Sequence, residues 1–506
     1  SAQAAGQTSL ESLEAVIDAQ IEKMINEEVT DVELTKAKNA IIKSLRLGIT
    51  DPLGFSMHLT EAIAVADWRW WLAYPEKIEQ VTKDDIKAVM KKYLYRDNRT
   101  VGYYYPKPES AEKAATQAAE DASEKSASPT DQEISIDSSK ESIARSIAES
   151  IADSSEQTEQ TNSSSPAPAI KIRLADRVIK KKLENGLTIL TLPIEGSNTI
   201  AISGKIKAGS QFVSHQKSQI SSFVASMLSS GSSKYSKEAL ADQLEIMGTH
   251  LDFHASTFWT EFNTEVVSED LNDIADLIAD ALQNPTFPDK ELSIEKKLRE
   301  SDLKESMADT GDLAWNALVR QIYKPSSPFY EKTFKEQIAE LSKISRTDLI
   351  DFHKKYYGPD QTVLSFAGDI TAEIAESLCR KAFASWKQTT PVEYKLTASD
   401  VNQLQAPEQV LSSIPGKANV DIKVGKALPV SFHCQDYFAT VIANAALGYD
   451  SFACRLAPVR DKYGLTYGIY SVIDDPTTMY GPWFIKYSVN PDNIERAQTI
   501  VKSIVD

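Results

Sequence analysis

Three cysteines in 506 residues, Cys379, Cys434 and Cys454, lie too far apart to make a disulfide framework or a C-x-x-C metal site. They read as small buried hydrophobes. Long apolar runs are missing as well: none approaches the roughly 18 residues of a membrane-spanning helix. Positive charge is in deficit, with 55 Lys and Arg against 72 Asp and Glu and a net charge of -17. Without a clustered basic footprint this balance excludes a nucleic-acid-binding surface and mainly favours solubility. Histidine is scarce too, with six in the chain. His58, His215, His353 and His433 are isolated. His250 and His254 have the i, i+4 spacing of a helical metal pair, but Thr249–Ser256 alternates like a strand after the Gly248 break. On a strand the two would stand about 13 Å apart at roughly 3.3 Å per residue, too far to share one ion. No basic segment followed by an apolar one opens the chain, so a secretion signal would have been removed or lie elsewhere. A first residue that is Ser1 rather than Met is expected of a processed or excised product.

What is present is enough chain for two or three domains. From about Pro106 to Pro168 the sequence falls to Ser, Ala, Glu, Asp and Thr with few large apolar residues. Such a stretch cannot offset its ordering entropy by burial and reads as an acidic linker, with helical spacing only over Ile134–Ile151.

The flanks of this linker repeat each other. Glu33-Leu34 through Ser44-Leu45 to Asp51 lines up with Glu291-Leu292 through Asp302-Leu303 to Asp309, at a constant offset of 258 residues. A second block, Thr82–Asp85 with Lys91-Lys-Tyr93 and Asp97, matches Ser345–Asp348 with Lys354-Lys-Tyr356 and Asp360, at an offset of 263. The second block opens on a helix start of the capping-box kind. Strands are expected at Thr100–Tyr105 and Thr362–Phe366. The second copy adds a front half: strands at Leu187–Leu192 and Ile200–Ile206, helices at Ser218–Leu228 and Lys237–Met247, and strands within Leu251–Val267. A third unit opens near Val410, with a helix at Tyr437–Ala446, strands at Tyr467–Val472 and Trp483–Val489, and a helix from Pro491. The chain is thus expected to begin and end at nearly the same point of a domain repeat.

In this order, Asn185-Gly-Leu-Thr-Ile189, Lys207-Ala-Gly-Ser210, Gly231-Ser-Ser-Lys-Tyr-Ser236, Tyr356-Tyr-Gly-Pro359, Gly368-Asp-Ile370 and Arg455-Leu-Ala-Pro-Val-Arg-Asp-Lys-Tyr-Gly-Leu-Thr-Tyr467 resemble the M16 (pitrilysin/insulinase-like) zinc metallopeptidases. The resemblance covers nearly everything outside the linker. It implies an α+β class of tandem M16-type (LuxS/metallohydrolase-like) domains, each a mostly antiparallel sheet packed with helices, arranged as two halves that close around a peptide. Residues 1–105 would be the rear of domain two and 106–169 the linker. Residues 170–335 would form domain three, and 336–506 a domain four cut short at its end.

In the resembled enzymes an H-x-x-E-H helix holds zinc through its two histidines while the Glu activates water. The corresponding residues here are Ser222, Ala225 and Ser226, and the downstream Glu region reads Ser301-Asp302-Leu303. This chain is therefore expected to bind no zinc, the ion residing in a complementary half or a partner chain. By the same resemblance Arg460 and Tyr467, seven apart around Gly464, would reach a peptide substrate as a guanidinium and a phenol that hold its carbonyl. Tyr449 and Asp450 stand where further glycines are common and would stiffen the loop. Trp68, Trp70 and Trp71 read as packing residues.

The expected function is the substrate-binding, non-catalytic half of an M16 endopeptidase, inactive by itself, with a peptide substrate and a zinc-bearing M16 half as its partners. The alternatives are a catalytically inactive assembly subunit and, with less behind it, a free-standing peptide-binding module. The resemblance suggests a bacterial periplasm or an organelle as the compartment.

Overall fold

The computed structural model describes residues 9–48, 72–94, 101–103, 174–213, 217–389, 396–402, 408–449 and 454–505, with five single residues between 56 and 69. The expected linker, the three tryptophans and Asp450 lie outside the described residues. The chain forms two compact units, one of Ser1–Glu28 with Lys83–Arg173 and one of Val29–Thr82 with Leu174–Asp506.

In the first unit, α1 (Leu10–Asn26) packs on a helix at Lys83–Tyr93, here α4. Ser9 caps α1 by accepting from the Ser12 amide at 3.1 Å. Val101–Tyr103 are exposed and form no strand, contrary to the expectation for Thr100–Tyr105.

The second unit begins with α2 (Asp31–Gly48) and α3 (Tyr74–Gln80). A Thr30/Glu33 capping box starts α2, the Thr30 amide donating to the Glu33 carboxylate at 2.7 Å and the Glu33 amide to Thr30 Oγ1 at 3.2 Å. A six-stranded sheet follows, built from β1 (Ile179–Lys182), β2 (Thr188–Pro193), β3 (Thr199–Ile206), β4 (Asp252–Ala255), β5 (Thr260–Val267) and β6 (Thr362–Gly368), in the order β1-β2-β6-β3-β5-β4. Only the β2–β6 pair is parallel.

Period-2 alternation gives this sheet a buried face: Ile200, Ile202 and Ile206 on β3, Phe262 on β5, and Leu364 and Phe366 on β6. Gly204 sits directly across from Phe262, and a Cβ there would come 2.1 Å from the ring. The close approach leaves no room for a side chain.

The helices of this part of the chain are α5 (Ile220–Met227), α6 (Lys237–Met247), α7 (Leu271–Gln283), α8 (Asp289–Ser306), α9 (Thr310–Ile322), α10 (Phe334–Leu341), α11 (Arg346–Tyr356) and α12 (Ala372–Ala382). One continuous core runs from Leu183 to Trp386 and takes in α5, α7, α11 and β6. The expected boundary between residues 335 and 336 therefore falls inside a folded domain. Strand β6 occupies the middle of its sheet, with β2 on one side and β3 on the other, so the domain extends to about Trp386.

The internal repeat reappears as helix boundaries. Helices α2 and α8 begin and end at the same 258-residue offset, and α4 and α11 at the same 263-residue offset. Helix α2 packs against α3 as α8 packs against α10. Ser345 and Asp348 form the capping box of α11, the Ser345 amide donating to the Asp348 carboxylate at 2.8 Å.

The C-terminal domain is smaller. Its antiparallel sheet has β7 (Val420–Leu428), β8 (Ile469–Ile473) and β9 (Gly481–Val489) in the order β7-β9-β8, and its helices are α13 (Tyr437–Gly448), α14 (Pro458–Asp461) and α15 (Ile494–Val505). Leu456, Val459, Leu465, Ile469, Ile485, Tyr487, Ala497 and Val501 make its core. Helix α9 packs along β7, with the Trp315 and Phe484 rings 5.1 Å apart, and the Tyr323 hydroxyl donates to the Tyr480 carbonyl at 2.8 Å.

His353 on α11 is buried, and its Nε2 lies 2.9 Å from the Leu282 carbonyl at the end of α7. That contact makes Nε2 the protonated nitrogen of a neutral ring. Burial pulls its pKa from the ordinary 6.5 down to about 4. The unfolded chain then binds the extra proton first, so this contribution to stability is complete above pH 6.5 and shrinks as pH falls toward 4. The residue at the same repeat position is Met90 on α4, which carries no proton. His353→Met should lower the urea midpoint at pH 7, and the midpoint should then fall less between pH 7 and pH 5 than that of the unaltered chain. An equal fall in both would show that His353 does not set the acid response.

Candidate functional site

Two places correspond to the expected chemistry. The first is α5, which carries Ser222, Ala225 and Ser226. Its sequence, Ile220-Ser-Ser-Phe-Val-Ala-Ser-Met227, is apolar enough to turn almost the whole helix inward, and six of its eight residues are buried. Ala225 is fully buried among Phe223, Val224 and Met227. Ser222 and Ser226 are half-buried, and the Ser226 hydroxyl donates to the Phe223 carbonyl at 3.3 Å. On α8, Ser301 and Asp302 are exposed while Leu303 is buried. Two hydroxyls and a methyl do not fit zinc, which takes imidazole, thiolate or carboxylate donors. Among the described residues no group of three or more His, Cys, Asp or Glu side chains is placed to hold a metal ion. His254 lies on β4 opposite Glu261, and His250 precedes the strand; both are exposed.

Ala225, which the resemblance sets at the general-base position, is thus a packing residue. Ala225→Glu should cost roughly 3 kcal/mol, since a carboxylate there would have neither cation nor donors around it. A thermal midpoint unchanged by this substitution would contradict the packing described for α5.

The second place is the turn from α14 to β8. Pro458 starts α14 and Val459 is buried, while Arg460 sits in its last turn. The chain then reverses: the Gly464 amide donates to the Arg460 carbonyl at 3.0 Å and the Leu465 amide to the Val459 carbonyl at 3.1 Å. Gly464 has φ +60, a left-handed conformation that glycine adopts without strain. Val459 and Leu465 enter the same small core and fix both arms of the turn. Arg460 and Tyr467 are left on its outer side. The Arg460 guanidinium carbon lies 5.6 Å from the centroid of the Tyr467 ring, and Nη1 lies 3.5 Å from the Asp461 carboxylate. Tyr467 is 90 % exposed. A cation–π contact at such a site contributes about 0.5–1 kcal/mol, enough to bias the pair into one arrangement. The structure thus brings these two residues together. Tyr467 precedes β8 by two residues, whereas the sequence suggested that the strand itself presents it.

An open depression of about 660 Å³ adjoins this turn, lined by Ala446 and Cys454 with Arg455, Pro458, Asp461 and Lys462. Tyr449, just past α13, is exposed.

Beneath the turn lies a polar lock that the sequence did not reveal. Asn444 on α13 donates to the Ser471 carbonyl at 3.0 Å and accepts from the Ser471 hydroxyl at 2.6 Å and from the Trp483 indole at 3.0 Å. It ties α13 to β8 and β9. The available signal is Ser471 itself, a polar residue at an inward position of a strand whose neighbours in register are Ile469 and Ile473. Tyr487, opposite Ile469 on β9, is buried, and burial pushes its hydroxyl up to about 12, so it packs as a neutral residue.

Two family models match the chain: "Insulinase (Peptidase family M16)" over residues 190–327 and "Peptidase M16 inactive domain" over residues 343–506. The second span starts at α11, so it takes in β6 together with the C-terminal domain. An uncharacterized zinc protease of Rickettsia felis is 25% identical over 295 residues, 57% of this chain and 68% of that protein. The mitochondrial-processing peptidase subunit beta of Neurospora crassa is 25% identical over 284 residues, 54% and 57% of the two chains. Cytochrome b-c1 complex subunit 1 of Bos taurus is 24% identical over 268 residues, 53% and 55%. Among solved structures, the peptidase M16 inactive domain of Pseudomonas fluorescens superposes with a TM-score of 0.58 at 21% identity, covering 65% of this chain and 78% of that one. That likeness extends to the fold.

Proposed function

The chain belongs to the M16 peptidase family, and on that premise we propose that it is the substrate-holding, zinc-free half of an M16 zinc endopeptidase. The zinc, its ligands and the general base come, in this reading, from another M16 unit, on the same longer polypeptide or on a partner chain. Arg460 and Tyr467 receive a peptide. The observation that carries the reading is their pairing: two fixed hydrogen-bond donors of different reach, held side by side on one anchored turn. A guanidinium and a phenol so placed can donate to a peptide carbonyl and stabilise negative charge that gathers on its oxygen. Zinc bound elsewhere would polarise the carbonyl and activate water. This chain's part is to orient and hold.

The chain alone should then contain no zinc by metal analysis and cleave no peptide, yet bind a fluorescein-labelled unfolded peptide in an anisotropy titration. Combined with an M16 unit that has an intact H-x-x-E-H helix, it should support cleavage. Arg460→Ala or Tyr467→Phe should lower kcat/KM at least about tenfold, in the range seen for loss of a transition-state donor. Cleavage that ignores both substitutions would remove the assigned roles while leaving the family untouched.

One finding favours a second reading, an assembly subunit without peptide chemistry: the bovine relative is named as a subunit of a complex. On that reading the chain binds no peptide and adds nothing to the activity of a zinc-bearing unit.

A further inference from the structure

The Arg460–Tyr467 pair stands on two arms of chain, one leading into α14 and one leading out into β8, and both arms are tied to the same end of α13. The first arm hangs from the backbone of that helix: the Arg455 amide donates to the Ala446 carbonyl and the Leu456 amide to the Leu447 carbonyl, each at 3.0 Å. Leu456 then connects directly to α14, its carbonyl accepting from the Val459 amide at 3.0 Å. The second arm hangs from a side chain. Asn444 holds Ser471 of β8 by both its carbonyl and its hydroxyl, and the Trp483 indole donates to Asn444 Oδ1 and to Ser471 Oγ, each at 3.0 Å. Little slack remains between Ser471 and Tyr467. The Thr466 hydroxyl donates to the Gly468 carbonyl at 2.9 Å and accepts from the Gly468 amide at 3.3 Å, which stiffens the chain on both sides of Tyr467.

Gly448, the buried residue that ends α13, lies where the two arms come together. A Cβ there would stand 2.7 Å from Leu456 Cδ1 on the first arm and 2.9 Å from the Ser471 amide nitrogen on the second. The helix therefore touches both arms without a gap, and its placement along β8 sets how far apart they are held. Asn444 fixes that placement. Its amide donates and accepts at once, as this site demands: an aspartate would face the Ser471 carbonyl with a second acceptor, and an alanine would strip partners from the Ser471 hydroxyl and the Trp483 indole.

We propose that Asn444 is a positioning residue for the Arg460–Tyr467 pair, setting the separation of the two arms so that guanidinium and phenol converge on one peptide carbonyl. The proposal rests on the reading of that pair as the peptide-holding site and assigns control of its geometry to α13. Asn444 acts through Ser471 on Tyr467 and through the helix backbone on Arg460.

Two measurements on the full chain test this. Fluorotyrosine incorporation gives a fluorine NMR resonance for Tyr467, assigned by its absence in Tyr467→Phe, and Arg460→Ala shows where the resonance of an unpaired ring lies. Asn444→Ala should move the Tyr467 resonance toward that position with circular dichroism unchanged. Gly448→Ala, which removes no hydrogen bond but wedges the arms apart, should move it as well and carries the same tests if Asn444→Ala does not fold. Combined with an M16 unit that has an intact H-x-x-E-H helix, Asn444→Ala should lower kcat/KM for a fluorogenic peptide roughly tenfold, as expected when a binding group is misplaced. Adding Arg460→Ala to Asn444→Ala should then cost little more than Arg460→Ala alone, because both changes remove the same interaction. A Tyr467 resonance that stays in place would overturn the proposal, and so would losses that simply multiply. If Arg460→Ala leaves cleavage unchanged while Asn444→Ala still moves the resonance, the peptide-holding reading fails and the positioning role stands.

Discussion

Strand β6 has to be delivered into the middle of a sheet whose neighbouring strands were laid down long before it in the chain. It pairs in parallel with β2 and antiparallel with β3, placing Phe366 beside both Thr191 and Ile202. The chain between β3 and β6 must therefore leave the sheet and return to it. That requirement gathers α5, α7 and α11 into one core and fixes how far the domain runs. It also sets the orientation of α5: with α11 on one side and β4 on another, little of that helix is left for chemistry. Ala225, which the resemblance sets at a general-base position, is a buried packing residue of this core.

The legible parts of the fold were those governed by local rules. The ends of α2 and α8, and of α4 and α11, follow two fixed sequence offsets, and capping boxes start α2, Thr30 with Glu33, and α11, Ser345 with Asp348. Alternation marked β3, β5 and β6, and the identities of Ser222, Ala225 and Ser226 could be read directly against the zinc motif that the resemblance suggests. The illegible parts depend on contacts far apart in sequence. Nothing local says that Thr362–Gly368 joins strands from the other end of the domain, so a cut at residue 335 looked natural. Val101–Tyr103 carries strand-favouring Val and Tyr but forms no strand, since a strand exists only through its neighbours. The lock of Asn444, Ser471 and Trp483 joins three elements that no spacing connects.

The turn at Gly464 lies between these cases. A glycine after a short helix predicted a reversal, and the reversal alone allows residues 460 and 467 to approach. That they meet ring to guanidinium depends on Val459 and Leu465 being drawn into one core from both sides. The M16 family thus uses one architecture twice in this chain, once with the helix after the first strand sunk into a core and once with it turned to water.

The anchoring of the turn carries a mechanical consequence. Both donors are tied to a single small core, so the separation of Arg460 from Tyr467 is insulated from any change in how the C-terminal sheet lies against α9. Motion of that sheet would carry the pair as a rigid pincer of fixed gape and alter only its aim. Reach and grip would then be set by different parts of the molecule and could vary without disturbing each other.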